Sequence, residues 1–356
     1  MMVQLEKGNQ ARVGWLCSYT PVEILMAGGL VPNRLNTGSG TLQKPNPNIY
    51  QLICPYLRSV FDAGQNDAFG PHEGVVFMKC CDGMLRLYDL WKAHLPDQKS
   101  YILPLPKVQT LEATAYFAEA LRRFAGEITV DMGIQITDST LHQAIHDANQ
   151  FRSGVQRLYQ LRNKNPMSMP YTELQVRIRE WLSNDPRQVW PDIEKTLNTI
   201  EGKPYGGNPE SKVLLSSSTL DQIEIMEMIE KAGMTIVADD ICIGLRHFDG
   251  MVAEDGDPFL SLAKRYLNRW PCPRMQADPS HVQRQIQEVE NVDADGVIYV
   301  GLKYCDQSGY DMPRLQAWFK DRQIPFLYIE NDYTASGLGQ LKVRIEAFAE
   351  ILSKEF

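Results

Sequence analysis

The chain has 356 residues, a formal net charge of −8 and a 44% apolar share. That length suits two or three domains with a sizeable core, and the acidic balance argues against a nucleic-acid or anionic-membrane footprint. No apolar run is long enough to span a bilayer and the opening Met1–Lys7 shows no signal-peptide core, so a cytoplasmic address is the expectation.

The pattern up to about Thr110 is α/β. The run Val13–Leu16 leads into Cys17, and Pro21–Gly29 has the proline start and glycine stop of a helix. Pro55–Ala63 reads as a helix opening just after Cys54. Gly74–Lys79 is a short apolar run of the buried-strand type, leading into Cys80 and Cys81. Met84–Trp91 reads as a helix and Tyr101–Leu105 as a strand. The middle is helical: Leu111–Phe124, then a long helix from an Asp138-Ser139-Thr140 cap to about Leu161, then Pro170–Leu182 and Pro191–Ile200. The stretch from Gly202 to Pro209 is the clearest linker.

Beyond it the strand–helix rhythm returns. Strands are expected at Lys212–Ser216, Met234–Ala238, Gly296–Leu302 and Ile324–Ile329. Helices are expected at Asp221–Ala232, Ser280–Val289, Pro313–Arg322 and Gly337–Leu352. Such alternation predicts parallel sheets with helices on both faces. The fold class is therefore α/β, with two Rossmann-like or flavodoxin-like parallel-sheet domains. The divisions are residues 1–110, a helical segment 111–203 packed on the first domain, and 204–356.

Seven cysteines carry the functional signal. Cys17, Cys81, Cys242 and Cys305 each follow a predicted strand, where open α/β folds bind ligands. Cytosolic thiols stay reduced, so these read as metal ligands, catalytic groups or core residues rather than disulfides. Structural zinc needs close Cys or His pairs, and the adjacent Cys80-Cys81 would point to opposite faces of a strand. His72-Glu73 lacks a zincin's second histidine, and no P-loop occurs. An iron–sulfur cluster needs three or four thiolates that need not be close in sequence. Cys54, Cys81 and Cys305 each precede or begin a predicted helix, where the amino end favours thiolate. Packing is the competing role for any one cysteine.

Several stretches, in chain order, resemble the 2-hydroxyacyl-CoA dehydratase/benzoyl-CoA reductase superfamily, which includes double-cubane cluster proteins. They are Cys17-Ser18-Tyr19-Thr20-Pro21-Val22-Glu23-Ile24, Cys54-Pro55, Cys81-Asp82-Gly83, Asp239-Asp240-Ile241-Cys242-Ile243-Gly244-Leu245-Arg246, Arg265-Tyr266-Leu267 with Cys272, Lys303-Tyr304-Cys305-Asp306, and Gly339-Gln340-Leu341 with Arg344-Ile345-Glu346. The resemblance implies a 4Fe–4S cluster in a crevice between two α/β domains, held here by Cys54, Cys81 and Cys305, with one iron open. Cys242 and Cys272 are similar to ligands of a second cubane, for which Cys17 is a further candidate. The double-cubane branch has a further cysteine in a Cys-Pro-Tyr stretch; Phe69-Gly70-Pro71 stands there in this chain.

The same resemblance implies an ATP-driven, low-potential system acting on an acyl-CoA thioester. ATP would be used only by a separate iron–sulfur activator protein, and a related second subunit or a homodimer is implied. Glu23 is the candidate for proton transfer, set against a plain charge at a helix start. Asp82, Asp306 and Arg246 are expected to orient loops or tune the cluster, and Asp239-Asp240, part of the resembling stretch, has a solvated pair at a strand end as its plain alternative. The alternatives are a double-cubane reductase of small molecules, a non-catalytic cluster carrier and a metal-free α/β binding protein.

Overall fold

A computed structural model describes residues 11–37, 42, 46–275 and 279–354; the Met1–Lys7 stretch lies outside them. The first half builds a sheet from β1 (Arg12–Trp15), β2 (Val31–Arg34), β3 (Gly74–Lys79) and β4 (Lys99–Pro104). Helices α1 (Val22–Ala27), α2 (Pro55–Gln65) and α3 (Asp82–His94) connect them. The middle holds α4 (Leu111–Met132), α5 (Asp138–Lys164), α6 (Tyr171–Leu182) and α7 (Pro186–Glu201). The last part supplies β5 (Ser211–Ser217), α8 (Ile223–Lys231), β6 (Met234–Asp240), α9 (Leu245–Phe248), α10 (Pro258–Asn268) and α11 (Pro279–Asn291). It continues through β7 (Gly296–Leu302), α12 (Asp306–Asp321), β8 (Phe326–Asn331) and α13 (Ala335–Lys354).

Both sheets are four-stranded and wholly parallel, and both have the same order: β2-β1-β3-β4 and β6-β5-β7-β8. The expected α/β architecture with two parallel sheets is what the chain forms. In each sheet the chain reverses direction across the layer after its second strand. The crevice at such a switch point, beyond the carboxyl ends of the strands, is where open α/β folds take ligands. The two halves are therefore topological repeats. Parallel strands buried on both faces require near-continuous apolar runs. Gly296–Leu302, buried at every position, satisfies that requirement.

The middle helices pack on both halves. α5 lies against α1 and α7 and also against α9 and β6; α4 packs on β4 and α10; α6 touches β2 and α8. Among the described residues no helix is long and apolar enough to cross a membrane.

Two helices begin earlier than their prolines suggest. Pro191 sits inside α7, which starts at Pro186 under a cap from Asp185, whose carboxylate accepts from the Arg187 N–H at 3.0 Å. Pro313 sits inside α12. The long helix α5 is capped by Thr137 rather than by the residues after it; Thr137 and Thr140 exchange side-chain-to-backbone bonds as a capping box. β2 is an additional strand. It carries Pro32, which a sheet tolerates at an edge, and β2 is an edge strand. α9 and α10 are likewise additional.

Asp239 and Asp240 are fully buried, not solvated. Asp239 accepts from the Tyr159 hydroxyl at 2.5 Å, the Tyr171 hydroxyl at 2.9 Å and the Leu245 N–H at 2.9 Å, so it ties α5 and α6 to the end of β6. Burial pushes its carboxyl up. Asp240 pairs with Arg246 at 2.8 Å, both side chains closed off from solvent. Gly244 makes the Asp239 turn possible. A Cβ there would lie 1.9 Å from the carboxylate oxygen, so the buried acceptor would have to leave its three donors. Gly244→Ala is expected to destabilise the chain by at least about 2 kcal/mol. Urea denaturation measures this, and an unchanged midpoint would refute the account.

Candidate metal centre

Three cysteines from distant parts of the chain are helix N-caps: Cys54 before α2, Cys81 before α3 and Cys305 before α12. All three line one cavity of about 720 Å³. The starts of α3 and α12 stand at the carboxyl ends of β3 and β7, so parallel strand pairing brings both to the crevice between the two halves. Unpaired N–H groups at a helix start stabilise thiolate. The Cys81 sulfur accepts from the Met84 N–H at 3.3 Å. Its thiol is lowered to about 5 by a hydrogen bond from Cys80, which outweighs burial, with help from Arg274 and that N–H. Cys54 is pushed up to about 12 by burial and by neighbouring Cys305. Tyr304 has a left-handed backbone, φ 59°, which turns the chain so that Cys305 caps α12.

Arg274 borders the same cavity and donates to the Cys305 sulfur at 3.6 Å. Burial works against its charge, but the sulfurs of Cys81, Cys305, Cys80 and Cys272 hold it well above its ordinary range. Asp82 and Asp306 stand on the cavity wall. Asp82 also pairs with Arg86 at 3.4 Å, an exposed contact. Arg246 lines no part of the cavity and instead clamps Asp240, also donating to its carbonyl at 2.6 Å.

Cys17, Cys80, Cys242 and Cys272 line a second cavity of about 40 Å³, with Arg34 and Arg274 on its wall. Cys242 donates to the Thr219 hydroxyl at 3.2 Å and receives an Arg34 N–H at 3.7 Å. The Cys272 N–H donates to the Tyr19 hydroxyl at 3.1 Å. Cys17 is lowered to about 6, chiefly by a hydrogen bond from Cys80. Cys80 itself is raised well above the thiol range by bonding to Cys17 and Cys81 and by burial. The adjacent pair thus divides, with Cys81 on the large cavity and Cys80 on the small one. Sequence reading set Cys80 aside and passed over Arg274.

Among the described residues no three His, Cys, Asp or Glu side chains close up enough to hold a single metal ion. The Cys54, Cys81 and Cys305 residues border a shared volume instead. Three soft thiols around shared space, with Asp82 and Asp306 also on the wall, fit a polynuclear iron–sulfur group better than a single hard ion.

Residues 17–352 match the family described as 2-hydroxyglutaryl-CoA dehydratase, D-component. The chain belongs to this family. Its relatives include the (R)-phenyllactyl-CoA dehydratase beta subunit of Clostridium sporogenes, 23% identical across 99% of this chain and 94% of that one. A putative dehydratase subunit YjiM of Escherichia coli is 26% identical with the same coverage, and a benzoyl-CoA reductase subunit of Thauera aromatica is 23% identical over 90% and 86%. The chain is thus a member of the acyl-CoA dehydratase and reductase subunit family, as the sequence resemblance implies.

Glu23 lines neither thiol cavity. It is fully buried, paired with Arg152, and accepts from the Tyr266 hydroxyl at 2.9 Å, joining α1, α5 and α10. Burial pushes its carboxyl up, yet Arg152 and Arg265 outweigh this and hold it below the usual range. Its contribution to stability is therefore present above the unfolded value, about 4.3, and is lost as pH falls through the depressed folded value. Glu23→Gln leaves Arg152 buried without its counter-charge and is expected to cost about 3–5 kcal/mol at neutral pH. The gap from wild type should narrow on acidification, and denaturant titrations at about pH 7 and about pH 3.5 test this. A constant gap would argue against the ion pair as its source.

Proposed function

We propose that the chain is the iron–sulfur subunit of an acyl-CoA dehydratase or reductase, with Cys54, Cys81 and Cys305 as the thiolate ligands of a 4Fe–4S cluster. The supporting observation is that these three helix-capping thiols, separated by up to 251 positions (305 − 54), open on one cavity beyond the strand ends. When bound, the cluster supplies low-potential one-electron chemistry. The protein's residues hold it and shape what reaches it. Three helix starts stabilise the ligands' negative charge. Ile53 and Leu57 give the wall an apolar surface that limits water. The volume is in the range of small-molecule sites, so an acyl group has room beside the thiols. Electron input belongs to a separate ATP-hydrolysing activator, and a related second subunit or a second copy completes the assembly. The partner subunit rests on the relatives' names, each of which describes one subunit of a larger enzyme. Proton transfer by Glu23 would require the side chain to leave its pair with Arg152, so we assign that role to no residue.

One observation favours a second reading, a double-cubane reductase of small molecules: four further thiols share one neighbouring cavity. It stands second because that cavity, about 40 Å³, is far smaller than the 720 Å³ bordered by Cys54, Cys81 and Cys305, and Cys242 there is already bonded to Thr219 and Arg34. Anaerobic purification with iron and sulfide quantitation separates the readings. About four irons per chain is expected, and about eight would favour the double cubane. Iron-free protein after reconstitution would sink both. Cys81→Ala is expected to lose the brown chromophore and most of the iron; unchanged iron would remove Cys81 from the ligand set.

A further inference from the structure

The Arg274 side chain stands where the two thiol cavities meet and lines both. It is carried by a tight turn, Cys272 to Met275, closed by the Met275 N–H on the Cys272 carbonyl at 2.9 Å. The turn is anchored by the Cys272 N–H on the Tyr19 hydroxyl at 3.1 Å. From this base the guanidinium reaches across and donates to the Cys305 sulfur at 3.6 Å. The other cations nearby are engaged elsewhere. Arg86 is balanced by Asp82 and Asp89, Lys107 donates to the Cys80 carbonyl, and Arg34 faces Cys242 and the Tyr56 hydroxyl.

We propose that Arg274 is a positioning residue that sets the reduction potential of the cluster through Cys305, and this rests on the cluster assignment above. An N–H···S bond and a fixed positive charge at a ligand sulfur both stabilise the more negative, reduced state, so they raise the potential. A cubane that gains one electron gains one negative charge, and Arg274 is a cation in contact with a ligand sulfur. It exchanges no proton and touches no substrate in this role. The turn from Cys272 makes the arrangement specific, because it fixes the guanidinium from one side while the sulfur it contacts is fixed separately, at the end of β7. The residue was not visible as functional in sequence, where it is one arginine among many.

Arg274→Gln and Arg274→Met remove the charge, with and without a hydrogen-bonding end. The proteins are reconstituted anaerobically beside wild type, assayed for iron and folding, and titrated with redox dyes. Both variants are expected to keep wild-type iron and circular dichroism. The reduced-to-oxidised ratio at a given potential should fall about tenfold, a midpoint about 59 mV more negative. The methionine variant should shift at least as far as the glutamine one. A wild-type midpoint in a variant that keeps its iron overturns the proposal. So does loss of iron from both variants, which would make Arg274 a support for the ligand set. A wild-type chain that takes up no iron fails the cluster assignment itself, an outcome told apart by the first assay.

Discussion

Parallel strand pairing is the constraint on which this structure depends. A parallel sheet sends all of its carboxyl ends to one edge, and each end must hand over to a crossover connection, usually a helix. Here two such sheets share one strand order, so each has one reversal point, and the helix starts beside those points carry cysteine. The backbone hydrogen bonds that order β3 and β7 also place Cys81 and Cys305. The helix start then supplies the electrostatic setting that a thiolate needs.

Holding two sheets in fixed relation is a separate problem, and buried polar contacts contribute much of the answer. Asp239 gathers two tyrosine hydroxyls from the middle helices onto the end of β6. Glu23 joins the first half to α5 and α10 through Arg152 and Tyr266. Arg269 reaches from the end of α10 to the Ser18 hydroxyl at 2.8 Å, beside Cys17. Such contacts are directional, and each leaves a costly orphan if its partner moves. Apolar packing alone would permit small slides between the halves; these bonds resist them. The proposed centre, with thiols from both halves, would require that fixity.

The strands and the helix starts were legible because their signals are local. Gly74–Lys79 and Gly296–Leu302 are strands at the expected bounds, and Pro55 opens α2 as its fixed φ predicts. Proline misled at Pro191 and Pro313, where a helix had already begun and the ring is accommodated inside it. Edge strand β2 was hidden by Pro32, and the fully buried state of Asp239-Asp240 was hidden because two acids in a row look solvated until their partners are known. Tyr159, Tyr171 and Arg246 are 80, 68 and 6 positions away in the chain from the carboxylates they serve. Candidate thiols could be named from strand ends, and the resemblance already set Cys54, Cys81 and Cys305 apart from Cys17, Cys242 and Cys272, the division that the two cavities show. Cys80 was left out of both sets; it lies past the end of β3 and lines the small cavity.

The two cavities differ in the way they manage charge. Seven thiols in one crevice cannot all ionise in a low-dielectric interior. Around the large cavity the negative charge is met by three helix starts and by Arg274. Around the small one it is met by a shared proton and a guanidinium: Cys242 gives its proton to Thr219, and Arg34 covers the Cys242 sulfur. The small set is therefore satisfied largely from within the protein, in about 40 Å³, while the large set borders 720 Å³ that its own side chains do not fill. Cys80 and Cys81, joined by one peptide bond, fall on opposite sides of this difference. The larger space favours the large cavity as the seat of the proposed inorganic group.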